Sequence, residues 1–330
     1  MAIRRQMLFV GVLALSSMGA SFQTKNFTVT APNDQIAQQV GQYAEKYRKE
    51  KALLWLGKEM APWGRPCPLK VEIKANPGGA TTFAFDKGAI WDQEMNVQGP
   101  LERVLNSVLP HEITHTVFAY HFRCPLPRWA DEGGSVLSED DIERKRHDEL
   151  VRQSLAGGRA FRLRVLFDMK QYPESGMDIM TLYAEGYSLV RFLVETTDRQ
   201  EFLRFLGDGM KQGWDYAVRT HFAMNRVEDL EECWLKWLRG TYRPSEALLA
   251  KNAKAAAPAS GGALAELTQP IVAGSASVVR GASPDETAPS QPTSWPRSNP
   301  AAPGRNDGWS PARDGGPRSP VKLLPIQPEP

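Results

Sequence analysis

The amino-acid sequence predicts an α+β fold: a small mixed or antiparallel sheet, a helix bearing His111-Glu112-Ile113-Thr114-His115, a mostly helical subdomain and a disordered Pro-rich C-terminal tail. Three observations carry that expectation. Short runs with period-two alternation lie only before about residue 100, apolar positions recur at helical spacing from there to about residue 239, and 14 of the 25 prolines fall in residues 251–330. At 330 residues, 42% apolar and 24% charged, the chain can bury one substantial core and carry an appendage. The expected division is a signal peptide over 1–22, one folded domain over 23–248 and a tail rich in Pro, Ser, Gly and Ala over 249–330.

The elements follow in order. Lys25 to Thr30 alternate as a strand does, and Asn33 or Asp34 then caps a long helix with apolar positions Ile36, Val40, Tyr43, Tyr47 and Leu54. After the break from Pro62 to Pro68, Leu69 to Ile73 reads as a strand, Asn76-Pro77-Gly78-Gly79 as a turn, and Thr81 to Phe85 as a second strand. Asp86-Lys87-Gly88 turns the chain into a third strand, about Ala89 to Val97. Leu101, Val104, Leu105 and Val108 begin a helical pattern that resumes through Ile113, Val117 and Phe118. Pro110 interrupts it, which predicts a kink or a new helix starting there. Helices are then expected over Leu182 to Val194, Arg199 to Met210 and Glu228 to Leu238. The charged run from Glu139 to Glu149 reads most simply as a solvated helix face.

Lys and Arg number 40 against 38 acidic residues, a balance that gives no electrostatic reason to expect nucleic acid as a partner. Arg4 and Arg5 precede an apolar run from Met7 to Leu15, and small residues Ser16, Ser17, Gly19 and Ala20 follow, which is the order of an export leader. The chain is therefore expected to be secreted, periplasmic or held in the cell envelope. Its apolar run is well short of the roughly 18 to 20 residues a span needs, so no stable membrane insertion is expected after cleavage. In such a compartment Cys67 and Cys124, both in proline-containing loops, are candidates for one disulfide, and buried free thiols are the alternative.

Residues four apart share a helix face, so His111 and His115 can direct ring nitrogens at one Zn²⁺ while Glu112 sits beside the open coordination position. Trp129-Ala130-Asp131-Glu132-Gly133-Gly134 places an acidic residue 17 positions after His115, at the opening of the next helix. The Phe122 to Arg128 loop, with Cys124, Pro125 and Pro127, reverses the chain between them. Glu132 is thus the candidate third ligand, and one zinc ion per chain the expected cofactor.

With these residues the sequence resembles the gluzincin metallopeptidases, the peptidase MA-like group that includes thermolysin and the zinc aminopeptidases, over roughly Gly78 to Leu238. The resemblance implies His111, His115 and Glu132 as zinc ligands and Glu112 as general base. Tyr183-Ala184-Glu185-Gly186-Tyr187 is similar to the Tyr-x-x-Gly helix start of the zinc aminopeptidases and implies Tyr183 as the oxyanion donor, although Tyr183, Tyr187 and Val190 also form the kind of stripe that packs in a core. The family's substrate-pairing edge strand corresponds to part of Gly79 to Phe85 or of Met95 to Gly99. The Gly-Ala-Met-Glu-Asn motif of the aminopeptidases has no counterpart, so aminopeptidase specificity is not implied. His121, His147 and His221 are expected to serve packing or surface roles, with His221 the only one placed to resemble a late-sequence acid of thermolysin-type enzymes.

The function so implied is hydrolysis of peptide bonds in a peptide or protein substrate, by a zinc-activated water with Glu112 as base. The alternative is a catalytically inactive zinc-binding or structural protein on the same fold. An intact Glu112 favours the first, because a pseudoenzyme has no chemical use for that carboxylate.

Overall fold

The computed structural model describes residues 19–256 and 277–282. It shows a mixed sheet and a predominantly helical second half. The first strands are β1 (Ala20–Gln23) and β2 (Phe27–Ala31), which are antiparallel. The expected leader boundary at residue 22 therefore falls inside β1, because Phe22 is tied down by packing on Gly41 of the following helix. Residues 1–18 lie outside the described ones.

Helix α1 (Asp34–Leu56) starts where the Asn33 side chain accepts the Ile36 N–H at 2.9 Å and stops at Gly57, whose φ of 70° is the left-handed cap conformation. Its buried stripe is built of Ala37, Val40, Gly41 and Ala44, small residues that let the helix lie close on the sheet, while Leu54 is exposed. The chain then forms β3 (Cys67–Ile73), β4 (Gly78–Asp86) and β5 (Ala89–Gly99). β2, β3 and β5 run parallel, β4 returns antiparallel on β5, and the sheet order is β1-β2-β3-β5-β4 with a late strand, β6 (Ser277–Ala282), outside β4. Of the two candidate edge strands, Met95 to Gly99 is interior, between β3 and β4, and Gly79 to Phe85 lies in β4 nearer the rim.

Leu101–Arg103 forms a short turn, α2, that opens into a π turn over Val104–Val108 and continues as α3 (Leu109–Phe122). The expected new helix start is met: the π turn sets α3 off from α2, and Pro110 sits in the first turn of α3. The wider turn, closed by the Leu109 N–H on the Val104 carbonyl, accommodates a residue that has no N–H to give and whose ring crowds the preceding turn. Then come α4 (Arg128–Val136), α5 (Asp141–Ala156), α6 (Leu163–Asp168), α7 (Gly176–Thr196), α8 (Arg199–Gln212), α9 (Trp214–Phe222) and α10 (Val227–Leu238).

Two cores result. One, between the sheet, α1 and the start of α3, contains Phe27, Val29, Leu69, Val97 and Ile113. The larger one joins the helices through Trp55, Phe118, Trp129, Phe167, Phe205 and Trp234. They meet along α3, so the helix bearing the His-Glu-x-x-His segment is buried on all sides from Leu109 to Ala119. Helices α4 and α7 cross at glycines: a Cβ on Gly133 would collide with the Gly186 backbone, and one on Gly186 with the Trp129 carbonyl.

Cys67 and Cys124 are both buried free thiols and not a disulfide. Cys67 packs in the sheet-side core and Cys124 sits beyond the end of α3, and burial pushes the Cys67 thiol up to about 12. Past Leu238 the chain is ordered further than its composition implies. Helix α11 (Glu246–Ala256) buries Leu248, its Asn252 side chain reaches the Thr196 carbonyl at 2.9 Å, and its Lys251 pairs with Glu201. The strand β6 (Ser277–Ala282) joins the sheet antiparallel to β4. Its Val278-Val279 pair is β-branched, which suits a pleated ladder. The remainder of the expected tail lies outside the described residues.

Candidate metal centre

His111 and His115 lie one turn apart on α3, and the reversal over residues 123–127 returns α4 against them, so that Glu132 reaches both rings. Glu132 Oε2 is 3.4 Å from His111 Nε2 and 3.6 Å from His115 Nε2. One ligand atom from each of the three residues lies within 4.8 Å of the others, and all three residues are buried. The glycine crossing of α4 and α7 explains why Gly133 follows Glu132: any side chain there would push α4, and Glu132 with it, away from its neighbours.

Whether these residues suit a cation is decided by their unmet hydrogen bonds. The Nε2 atoms of His111 and His115 and Oε2 of Glu132 are buried with no hydrogen-bond partner, an arrangement that costs free energy unless something else satisfies them. The opposite ring nitrogens are both engaged. His111 Nδ1 is 2.7 Å from Glu139 Oε1, and His115 Nδ1 is 2.8 Å from Asp131 Oδ1. Carboxylates on Nδ1 orient each imidazole and raise the basicity of Nε2, the outer-sphere arrangement of metal-binding histidines. His111, His115 and Glu132 therefore form a group that can hold a metal ion.

The charge balance points the same way. Glu112, Glu132, Asp131 and Glu139 surround two histidines, with Arg128, 3.9 Å from Asp131, and Arg144, which donates to the Glu139 carbonyl, as nearby fixed cations. Burial lowers the His111 imidazole's affinity for a proton, yet Glu132 and Glu139 together hold it well above its ordinary value. His115 is likewise raised, against burial, by Asp131 and Glu132. Both shifts report a surplus of negative charge that a bound cation can offset.

Glu112 stands apart from that group. Thr81 of β4 donates to its Oε2 at 2.6 Å, its Oε1 has no partner, and burial pushes its carboxyl up to about 7 against the pull of His111 and His115. A carboxylate with one oxygen anchored and the other free can hold or accept a proton at a defined point.

Tyr183 lies in the middle of α7, not at a helix start, because α7 begins at Gly176. Its ring stacks 6.4 Å from His111, and its buried hydroxyl faces Glu132 and Tyr172, which together with burial hold it well above its ordinary value. A second tyrosine went unseen in the sequence. Tyr172, in the loop before α7, hydrogen-bonds through its hydroxyl to Glu132 Oε1, stacks 6.4 Å from Tyr183 and lies under the Arg128 guanidinium. The charged run at residues 139–149 is also not simply solvated, since Glu139, Glu143 and His147, four apart, turn inward on one face. That four-residue period was present in the sequence as a signal. His147 packs beside Tyr183, and His221 is held between Glu201 and Asp208, each at 2.9 Å, in the helical half.

Comparison of the chain with protein-family models, with curated proteins and with solved structures returned no match. No helix among the described residues is long and apolar enough to cross a membrane.

Proposed function

We propose that the chain is an exported zinc-dependent hydrolase of peptide bonds, acting outside the cytoplasm on a peptide or protein substrate. The observation that carries this reading is the pairing of a buried His111, His115, Glu132 group, whose three inward atoms lack partners, with an adjacent Glu112 that is anchored to the sheet and does not belong to the group. Two histidines and one carboxylate are the donor set of a catalytic zinc with a position left for water. Zinc held there supplies Lewis acidity and lowers the pKa of water.

The chain's own residues do the rest. Thr81 fixes one oxygen of Glu112, so the free Oε1 takes a proton from water and passes it to the leaving nitrogen. Glu139 and Asp131 keep the two imidazoles in one tautomer and orientation. Tyr183 has a buried hydroxyl beside Glu132 that can donate to a developing oxyanion.

The test is Glu112→Gln, which keeps shape and loses basicity. The parent chain is expected to hold about one zinc and to cleave members of a peptide library in a chelator-sensitive way. The variant is expected to hold the same zinc, melt at the same temperature and lose roughly 10²- to 10⁴-fold in turnover. Stoichiometric zinc with no cleavage by the parent chain would make it a binding protein, and loss of zinc from the variant would make Glu112 a ligand.

A further inference from the structure

The rim of β4 passes directly against Glu112. Thr81 donates to that carboxylate, and Gly79 is so close to it that a Cβ there would collide with Oε1. β6 pairs along this same edge, with Arg280 opposite Thr82, Gly281 opposite Thr81 and Ala282 opposite Ala80. It also comes up against α3, the helix that carries His111, Glu112 and His115.

An extended peptide brought to Glu112 along the sheet satisfies its backbone by adding as a strand to the outer edge of β4. Strands in a sheet lie roughly 4.8 Å apart, so one edge accepts one strand at a time. His111, Glu112 and Glu132 have no exposed surface and His115 has 2%, and β6 covers the outer edge of β4 beside them. A hydrolase in that state has no way to admit its substrate.

We propose that Ser277–Ala282 is a built-in occupant of the peptide-docking edge of β4, so that the chain blocks its own site until this segment is displaced. The inhibitory meaning rests on the peptide-hydrolase reading, whereas the docking itself does not. Residues 257–276, twenty positions, connect α11 to β6. β6 belongs to the same chain as β4, so a free peptide competes only when it binds well or when the chain between α11 and β6 is cut.

The experiment uses the full chain and a full-length variant carrying Val278→Pro and Val279→Pro. Successive strand residues point their N–H groups to opposite sides, so one of the two prolines removes a donor to β4 whichever way the ladder is phased. Hydrogen exchange of the β4 amides, peptide hydrolysis and binding of a fluorescent peptide spanning residues 275–284 are measured on both chains. The variant is expected to exchange its β4 amides at least tenfold faster, to hydrolyse peptides with at least a tenfold lower KM, and to bind the probe, which inhibits it competitively. Unchanged β4 protection overturns the proposal whatever the activity, and so does faster exchange with an unaltered KM. If neither chain cleaves any peptide, the hydrolase reading fails. Saturable probe binding by the variant alone then still upholds the docking edge, and its absence overturns that as well.

Discussion

His111 and Glu139, 28 positions apart in sequence, are joined by a 2.7 Å hydrogen bond between the imidazole Nδ1 and the carboxylate, and Ser107 donates to the other oxygen of Glu139 at 2.7 Å. Glu139 thus ties the end of α4 to the metal-facing helix without touching the metal position. Removing its charge leaves the ligands in place but weakens the acceptor that makes Nε2 of His111 basic. Glu139→Gln is expected to lower zinc affinity by roughly 10- to 100-fold while the chain still folds. Competition with a chelator of known affinity measures this, and unchanged affinity would reduce Glu139 to a packing partner.

The two tyrosines are separable. Tyr172 bonds to the ligand Glu132, so Tyr172→Phe is expected to weaken zinc binding by about tenfold, an outer-sphere effect. Tyr183 is buried beside Glu132 and Tyr172, so Tyr183→Phe should change melting little, keep zinc, and lower turnover by roughly ten- to a thousand-fold. Zinc content and steady-state kinetics on both variants decide it. A Tyr172→Phe chain that keeps zinc and loses turnover would exchange their roles.

Gly133→Ala is expected to destabilise the fold by about 3 kcal/mol, because the added methyl meets backbone of α7 at Gly186, which cannot rotate away. The same substitution should reduce zinc occupancy, since the strain is relieved by moving α4 and Glu132. Chemical denaturation with metal analysis checks both, and a neutral result would mean the helices do not cross as closely as described.

His147 is buried beside Glu139, Arg146 and His111, and burial pushes its imidazole from an ordinary 6.5 down to about 4. Between those values the unfolded chain holds the proton and the folded chain does not, so stability is full above pH 6.5 and falls as pH drops towards 4. At about 1.4 kcal/mol per pH unit the window is worth about 3 kcal/mol. His147→Gln should remove that part of the acid dependence. Denaturant titrations of both chains from pH 7 to 4 read it directly, and equal slopes would show that His147 does not titrate there.

Elements whose cause is local were legible in the residues alone. Strands β2 to β5 follow from side-chain alternation, α1 from a cap at Asn33 or Asp34 and its apolar spacing, and the shared face of His111 and His115 from the pitch of a helix. Each depends on neighbours within about one turn. The tertiary structure alone decided what distant residues do to one another. Thr81 reaches Glu112 because β4 pairs outside β5, His147 turns inward because α5 packs on α7, and Gly133 is required because α4 and α7 cross at their backbones. The charge run at 139–149 reads as solvated, and Cys67 and Cys124 leave a disulfide and buried thiols both open, because composition records neither which face is covered nor which core a loop enters. Strand β6 is the furthest case: a short pair of valines in a Pro-rich stretch has no meaning until the edge of β4 offers it unpaired backbone to join.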